Sequence, residues 1–165
     1  MCVSTVSGAG QPSARFVLLR QILPEGLVFF TNYKSRKGRD IDHDPRVAAT
    51  FWWGELERQI RVEGLIARTS EELSDAYFHS RPRDSQLASA ASPQSREVDS
   101  REELEEALRD MERRFPEEVE RPDHWGGYII TPHAVEFWQG RRARMHDRIQ
   151  YRLEGTTWTK VRLAP

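Results

Sequence analysis

One cysteine, Cys2, stands in a chain of 165 residues, so no internal disulfide forms and no thiolate cage for a metal is available. That usage suits a reducing compartment, and a cytoplasmic protein is expected. No apolar run approaches the roughly 18 residues of a membrane helix, and the N-terminus has no basic-then-apolar leader pattern. Charge of one sign is not in excess either. The 25 Lys and Arg nearly cancel the 26 Asp and Glu, leaving a formal charge of −1, which argues against nucleic acid and membrane surfaces as partners because both attract a strong positive excess. GxGxxG and GxxxxGK[ST] are missing, which removes two common ways of cradling a nucleotide phosphate in a Gly-rich loop. HExxH is missing too, and Asp42, His43 and Asp44 sit in a polar turn before Pro45 with no second set of ligands, so no metal site is expected.

What is present fits one domain over residues 1–165, a size that buries roughly two-thirds of its unfolded surface. With 38% hydrophobic and 31% charged residues, a core must be shared among strands, helices and a partner subunit. Arg15–Arg20, Leu27–Thr31, Val47–Trp53 and Arg58–Arg68 are rich in β-branched, leucine and aromatic residues, with turn residues between the earliest of them. Gln59-Ile-Arg-Val-Glu63 alternates polar with apolar, as a half-buried strand requires. Ser35 is positioned to cap a short helix ending before Pro45. Thr69 with Glu72, and Ser100 with Glu103, read as capping boxes opening two further helices. The first is broken by Pro82, and the second carries the apolar stripe Leu104, Ala107, Leu108, Met111 and Phe115. The β pattern returns at Trp125–Ile130, Ala134–Gln139, Arg148–Leu153 and Thr157–Leu163, with a hairpin turn at Glu154-Gly155. Strands at both ends with helices inserted between them predict a mainly β, α+β fold: an antiparallel barrel with attached helices.

The local arginines then need local ligands. Tyr77-Phe-His-Ser-Arg-Pro-Arg-Asp-Ser85 gathers a phenol, hydroxyls and guanidiniums at a helix-to-turn junction. Tyr77, Arg81 and Ser85 are spaced by four, so a tight turn lets their polar ends converge on one anion, which a guanidinium grips by its planar fork. The same segment also reads as a solvated, Arg-rich helix end. Ser35-Arg36-Lys37 offers helix-start amides, cations and a hydroxyl to a phosphate, or is simply a basic first turn on the surface. On burial grounds alone Trp138 reads as core, while Gln59 is chemically odd if it points inward without a polar ligand. His43, His79, His124 and His133 fit no constellation and are read as structural.

Taken in order, Arg15-Phe-Val-Leu-Leu-Arg20, Phe29-Phe-Thr-Asn32, Ser35-Arg-Lys37, the Tyr77–Ser85 segment, Val135-Glu-Phe-Trp-Gln-Gly140, Arg144-Met-His-Asp-Arg148 and Arg162-Leu-Ala-Pro165 closely resemble the pyridoxamine/pyridoxine 5′-phosphate oxidase family. The resemblance runs from Met1 to Pro165. It implies the FMN-binding split β-barrel, antiparallel and of Greek-key type with inserted helices, in a homodimer whose two flavin sites lie at the subunit interface. It implies oxidation of pyridoxine or pyridoxamine 5′-phosphate to pyridoxal 5′-phosphate, with O2 as electron acceptor and hydrogen peroxide as second product. FMN would be held by Arg15 and the stretch Phe16, Val17, Leu18, Leu19 and Arg20, by Phe30 and Thr31, by Arg36 and Lys37, by Gln59, by Gln94 and Ser95, and by Trp138 and Arg148. The substrate phosphate would fall to Arg20, Tyr77, Arg81 and Ser85, and Arg144 and His146 would act at the substrate ring as the catalytic pair, with Asp147 either orienting His146 or bridging to an arginine.

Two positions depart from the usual pattern. Arg20 stands where lysine is common, and Phe30 where tyrosine is often found. The family normally carries a further N-terminal segment that closes over the substrate, whereas Met1 here already lies at the first barrel strand, so either the start is trimmed or this lineage does without it. Rival readings keep the barrel and flavin with another substrate, or make the chain a nonenzymatic Arg-rich binding module.

Overall fold

The computed structural model describes residues 1–165. A hairpin of β1 (Cys2–Val6) and β2 (Pro12–Phe16) is followed by β3 (Gln21–Leu23), β4 (Gly26–Asn32), α1 (Arg36–His43), β5 (Arg46–Trp53) and β6 (Arg58–Arg68). The helices α2 (Glu71–His79), α3 (Arg83–Ala91) and α4 (Arg101–Arg114) come next, and β7 (Trp125–Gln139), β8 (Asp147–Glu154) and β9 (Thr157–Arg162) close the chain. All pairings are antiparallel, in the order β2-β1-β5-β6-β7-β4-β3, with β8 and β9 branching from β7.

The branch matters for the site. β7 is a single strand of 15 residues, not the two shorter ones expected, and β6 runs along it. Its first part, Trp125–Ile130, pairs with β4, and its last, Ala134–Gln139, pairs with β8. Pro132 does not break it, because the register shifts between Glu63 and Gly64 where proline's missing donor is tolerated. Gly64 is required there: a Cβ would lie 2.3 Å from the carbonyl oxygen of Thr131. The barrel interior is filled by residues such as Val3, Phe29, Tyr33, Ile41, Val62, Tyr128 and Ile130. A second, smaller cluster of Phe78, Leu87, Val119 and Trp125 seats α2, α3 and α4 against the barrel's side.

Several local expectations need correction. β2 ends at Phe16, and Val17–Arg20 continues outside regular structure, held where Val17 N–H donates to Met1 O and Arg20 N–H to Val28 O. Ser70, not Thr69, caps α2 by accepting from Leu73 N–H, because the Thr69 amide is still bonded to the sheet at Gly127 O. Pro82 ends nothing further but begins α3, a helix the sequence reading did not anticipate; at φ −53° its ring suits a helix entry where no N–H is needed. Ser35 and Ser100 cap α1 and α4 as expected. The α4 stripe is only partly covered: Leu108, Met111 and Phe115 meet the second cluster while Leu104 stays exposed.

Candidate functional site

A cavity of about 700 Å³ opens between the Arg15–Arg20 stretch, β4, the start of α1 and the α2–α3 corner. It is lined by Arg15, Phe16, Val17, Leu18, Arg20, Phe30, Thr31, Lys37, Tyr77, Arg81, Ser85 and Gln94, so most of the positions singled out in the first half of the chain meet in one place. Asn32, Ala88, Ser89, Ser92 and Trp125 line it as well and were not foreseen. Ala88, Ser89 and Ser92 are brought there by α3 and its C-terminal flank, and Trp125 by the pairing of β7 with β4.

Two cationic groups face this space. At one end the first turn of α1 turns Lys37 inward, to 8% exposure. Its ammonium donates to Gln94 Oε1 (2.8 Å), Thr31 Oγ1 (2.9 Å) and Ser35 Oγ (3.2 Å), and no carboxylate pairs with it. Burial, helped by the neighbouring Arg15, pushes its pKa down to about 8. Arg15 donates to Thr5 Oγ1 at 2.7 Å and to Ser13 Oγ, with the Asp40 carboxylate 3.7 Å away. Burial lowers its pKa and Asp40 opposes that shift.

At the other end Arg81 lies over the Trp125 ring at 4.7 Å and donates through Nη2 to Ser85 O (2.8 Å) and Ser89 Oγ (2.9 Å). Its Nη1 is buried with no partner. Desolvation lowers the Arg81 pKa, and the nearby Arg20 adds to the effect. Arg20 itself sits over the Tyr77 ring at 5.7 Å. Phe30, Tyr77 and Trp125 stack in parallel, with Phe30 and Tyr77 centroids 3.9 Å apart. An unpaired buried guanidinium nitrogen is costly unless an acceptor arrives, and an oxyanion is the acceptor its fork matches best.

A second region lies apart from the first. Gln59 and Trp138 line a separate cavity of about 740 Å³ with Trp53, Leu56 and Phe137. They are register partners across β6 and β7, and Trp138 is in turn opposite Arg148 on β8. The turn from β7 to β8 carries Arg144, whose φ of +60° follows the +55° of Ala143. His146 Nδ1 accepts from Arg141 N–H at 3.1 Å and its ring lies 4.8 Å from that of Trp138. With Nδ1 an acceptor, the neutral ring carries its proton on Nε2. Asp147 does not orient His146: it pairs with Arg141 (2.8 Å) and Arg162 (2.7 Å).

Arg148 is held by a residue the sequence reading passed over. Glu136, 3% exposed, accepts from Arg148 Nε (2.8 Å) and Nη2 (3.0 Å) and from Arg61 Nη2 (2.9 Å). These arginines draw its pKa below the usual carboxylate range against the opposing effect of burial. No pattern in Val135–Trp138 singles it out: Glu136 lies opposite Arg61 on β6, on the face away from Val62 and Val135, and only that pairing reveals its role. Within one chain, then, Gln59, Trp138, Arg144, His146 and Arg148 are not brought to the first cavity, and Leu19, Arg36 and Ser95 do not line it. Arg36 is exposed at the first turn of α1, and Ser95 is exposed at φ +71° beside Gln94. Exposed aromatic rings lie on both faces of this part of the sheet: Trp53, Phe137 and Trp158 on one, and Trp52, 58% exposed, on the other beside Trp138. No helix is long and apolar enough to cross a membrane.

Comparison with known proteins matches residues 1–115 to a family model described as pyridoxamine 5′-phosphate oxidase, and residues 125–165 to one described as the pyridoxine 5′-phosphate oxidase C-terminal dimerisation region. A protein of Rubrobacter xylanophilus named pyridoxine/pyridoxamine 5′-phosphate oxidase is 56% identical over 100% of this chain and 76% of its own length. One of the same name from Cyanothece sp. is 51% identical over 100% of this chain and 78% of its own. Among solved structures, PhzG from Burkholderia lata, crystallised with tetrahydrophenazine-1-carboxylic acid, superposes with a TM-score of 0.93 at 29% identity, covering 99% of this chain and 81% of its own. An FMN-binding protein of Nostoc punctiforme shares the fold, with a TM-score of 0.80 at 18% identity over 99% of this chain and 87% of its own.

Proposed function

The chain belongs to the pyridoxamine 5′-phosphate oxidase family of oxidoreductases, and from that premise we propose that it binds FMN and oxidises pyridoxine or pyridoxamine 5′-phosphate to pyridoxal 5′-phosphate, with O2 as final acceptor reduced to hydrogen peroxide, the amine substrate also taking up water and releasing ammonia. The observation that carries the reading is the buried, unpartnered Nη1 of Arg81 beside Arg20, Tyr77 and Ser85. A substrate with a phosphate supplies the missing acceptor; an uncharged ring leaves that nitrogen orphaned.

The residues present fit FMN. Lys37 is a buried ammonium without a counter-ion, Arg15 stands beside it, and Arg36 and the first amides of α1 lie at the same end, so a flavin phosphate meets cations already in place. Bound FMN supplies the two-electron acceptor for the oxidation. The chain's own work is positioning: Phe30, Tyr77 and Trp125 form a flat wall, Arg81 and Arg20 fix the substrate phosphate, and Arg144 and the Nε2 proton of His146 orient the reacting ring.

That last pair sits in the second region, so the reading requires two copies of the chain. The exposed aromatic face around Trp53, Phe137 and Trp158 is the contact through which a homodimer places Gln59, Trp138, Arg144, His146 and Arg148 of one subunit against the cavity of the other. In purified protein supplied with FMN and either substrate under air, pyridoxal phosphate and peroxide are expected in equal amounts. Flavin-loaded protein that turns over neither substrate would overturn the proposal.

A further inference from the structure

Asp40 is a carboxylate at 5% exposure on α1. Its hydrogen bonds leave the helix altogether: Oδ2 accepts from Thr5 Oγ1 at 2.6 Å and from Ser13 Oγ at 3.4 Å, on β1 and β2. The same two hydroxyls accept from the guanidinium of Arg15, Thr5 Oγ1 at 2.7 Å, and Arg15 Nη2 lies 3.7 Å from Asp40 Oδ2. Thr5, with 0% exposure, therefore relays between the two charges, accepting from one and donating to the other. A buried carboxylate is expensive to keep, and a well-packed apolar residue at such a position usually stabilises a fold at least as well.

What Asp40 does here is local. Arg15 faces the cavity beside Lys37 and in the field of Arg36, so cations crowd one end of an open space and repel one another. Gripped from behind by Thr5, Ser13 and Asp40, the guanidinium keeps its place against that repulsion. Its Nη1 and Nη2 donate to Thr5 and Ser13, and its Nε makes no hydrogen bond to the protein. We propose that Asp40 is a positioning residue for cofactor binding, which acts through Thr5 and Arg15 to hold a guanidinium ready for the FMN phosphate. This rests on the reading that Arg15 and Lys37 receive that phosphate.

Riboflavin, which has the ring but not the phosphate, separates this role from general support of the fold. Both flavins are titrated into the full chain stripped of flavin, by fluorescence quenching, with the melting temperature of each flavin-free variant measured alongside. Asp40→Asn is expected to weaken FMN about tenfold, as loss of one charge-assisted interaction would, and to leave riboflavin within about twofold. Thr5→Val is expected to shift FMN in the same direction, and it carries the same readout if Asp40→Asn folds poorly. In an Arg15→Ala background Asp40→Asn should change FMN affinity no further.

Unchanged FMN affinity in both Asp40→Asn and Thr5→Val, equal loss of both flavins, or a loss that persists in the Arg15→Ala background would each overturn the positioning role. If Arg15→Ala and Lys37→Ala themselves leave the preference for FMN over riboflavin untouched, the phosphate is held elsewhere. The reading beneath the inference then fails, and the inference with it.

Discussion

The cavity beside α1 and the aromatic face around Phe137 are built on opposite principles. In the first, one chain supplies almost everything: cations are buried, aimed by hydroxyls and already desolvated, as Lys37 and Arg81 are. In the second, Trp53, Phe137 and Trp158 are left in water on one face of the sheet, and Arg144 stands on an exposed turn. Preorganised charge can be made by local packing of one subunit, because short hydrogen bonds to neighbouring strands and helices suffice. An apolar face of this size is complete only when something covers it. On the function proposed above, phosphate recognition belongs to the chain alone and assembly of the reacting centre to the pair.

The sharpest way to break that division is at the cations. Arg15→Ala combined with Lys37→Ala should weaken FMN by at least about a hundredfold, since both cations line the first cavity and each substitution removes a charge-assisted contact of roughly 1.5–3 kcal/mol. Unchanged affinity in a flavin titration would move phosphate recognition out of the first cavity. Next in size is the aromatic face. Phe137→Glu, placed where Phe137 packs edge-on to Tyr151, should shift the protein toward monomer in sedimentation and abolish turnover. The monomer should still melt cooperatively, because Phe137 belongs to neither buried cluster.

At the substrate end, Arg81→Ala should raise KM roughly 10- to 100-fold with little change in kcat, because a phosphate held equally in ground and transition states contributes uniform binding. Arg144→Ala should mainly lower kcat. Steady-state kinetics showing the reverse would exchange the roles assigned to the two regions.

A smaller effect follows from Lys37, whose pKa falls from 10.5 to about 8 in the flavin-free fold. Between those values the unfolded chain holds the proton that the folded chain has lost, so this group makes the flavin-free protein more stable as pH rises through the window. Anion binding has the opposite dependence, since it needs the ammonium. FMN affinity should fall above pH 8, by up to about tenfold per pH unit, and Lys37→Arg should flatten that fall over the same range. Affinity independent of pH there would mean that Lys37 does not meet the phosphate.

The smallest change concerns the turn that carries Arg144. Ala143 holds φ +55°, which costs an alanine but not a glycine, so Ala143→Gly should alter stability by less than about 1 kcal/mol in denaturant titration, the relief of strain offsetting the greater freedom of the unfolded chain.

In the first half Leu27–Thr31, Val47–Trp53 and Arg58–Arg68 were readable because apolar runs and alternation mark them, and Arg58–Arg68 appears with the bounds read from its pattern, whereas β1 and β3 were not read and Arg15–Arg20 overlaps β2 only at Arg15 and Phe16. Ser35 and Ser100 announced their helices by the same local chemistry. α3 was hidden because Pro82 looks like a breaker in sequence whether it ends one helix or starts the next. The length of β7 was hidden because only pairing with a bulged β6 lets Pro132 pass through a strand.

The same limit runs through the site. Residue order alone carried the membership of the family, the mainly antiparallel β architecture and the identity of the cationic motifs, since each is written in spacing of a few residues. Which cations are buried, which are paired and which are left wanting an anion depended on contacts across long separations: Thr5 with Asp40, Thr31 with Gln94, Arg148 with Glu136. Glu136 and Asp40 look like ordinary charged residues in the chain, and they become positioning groups only because folding removes the water that would otherwise solvate them and leaves a guanidinium as the partner within reach.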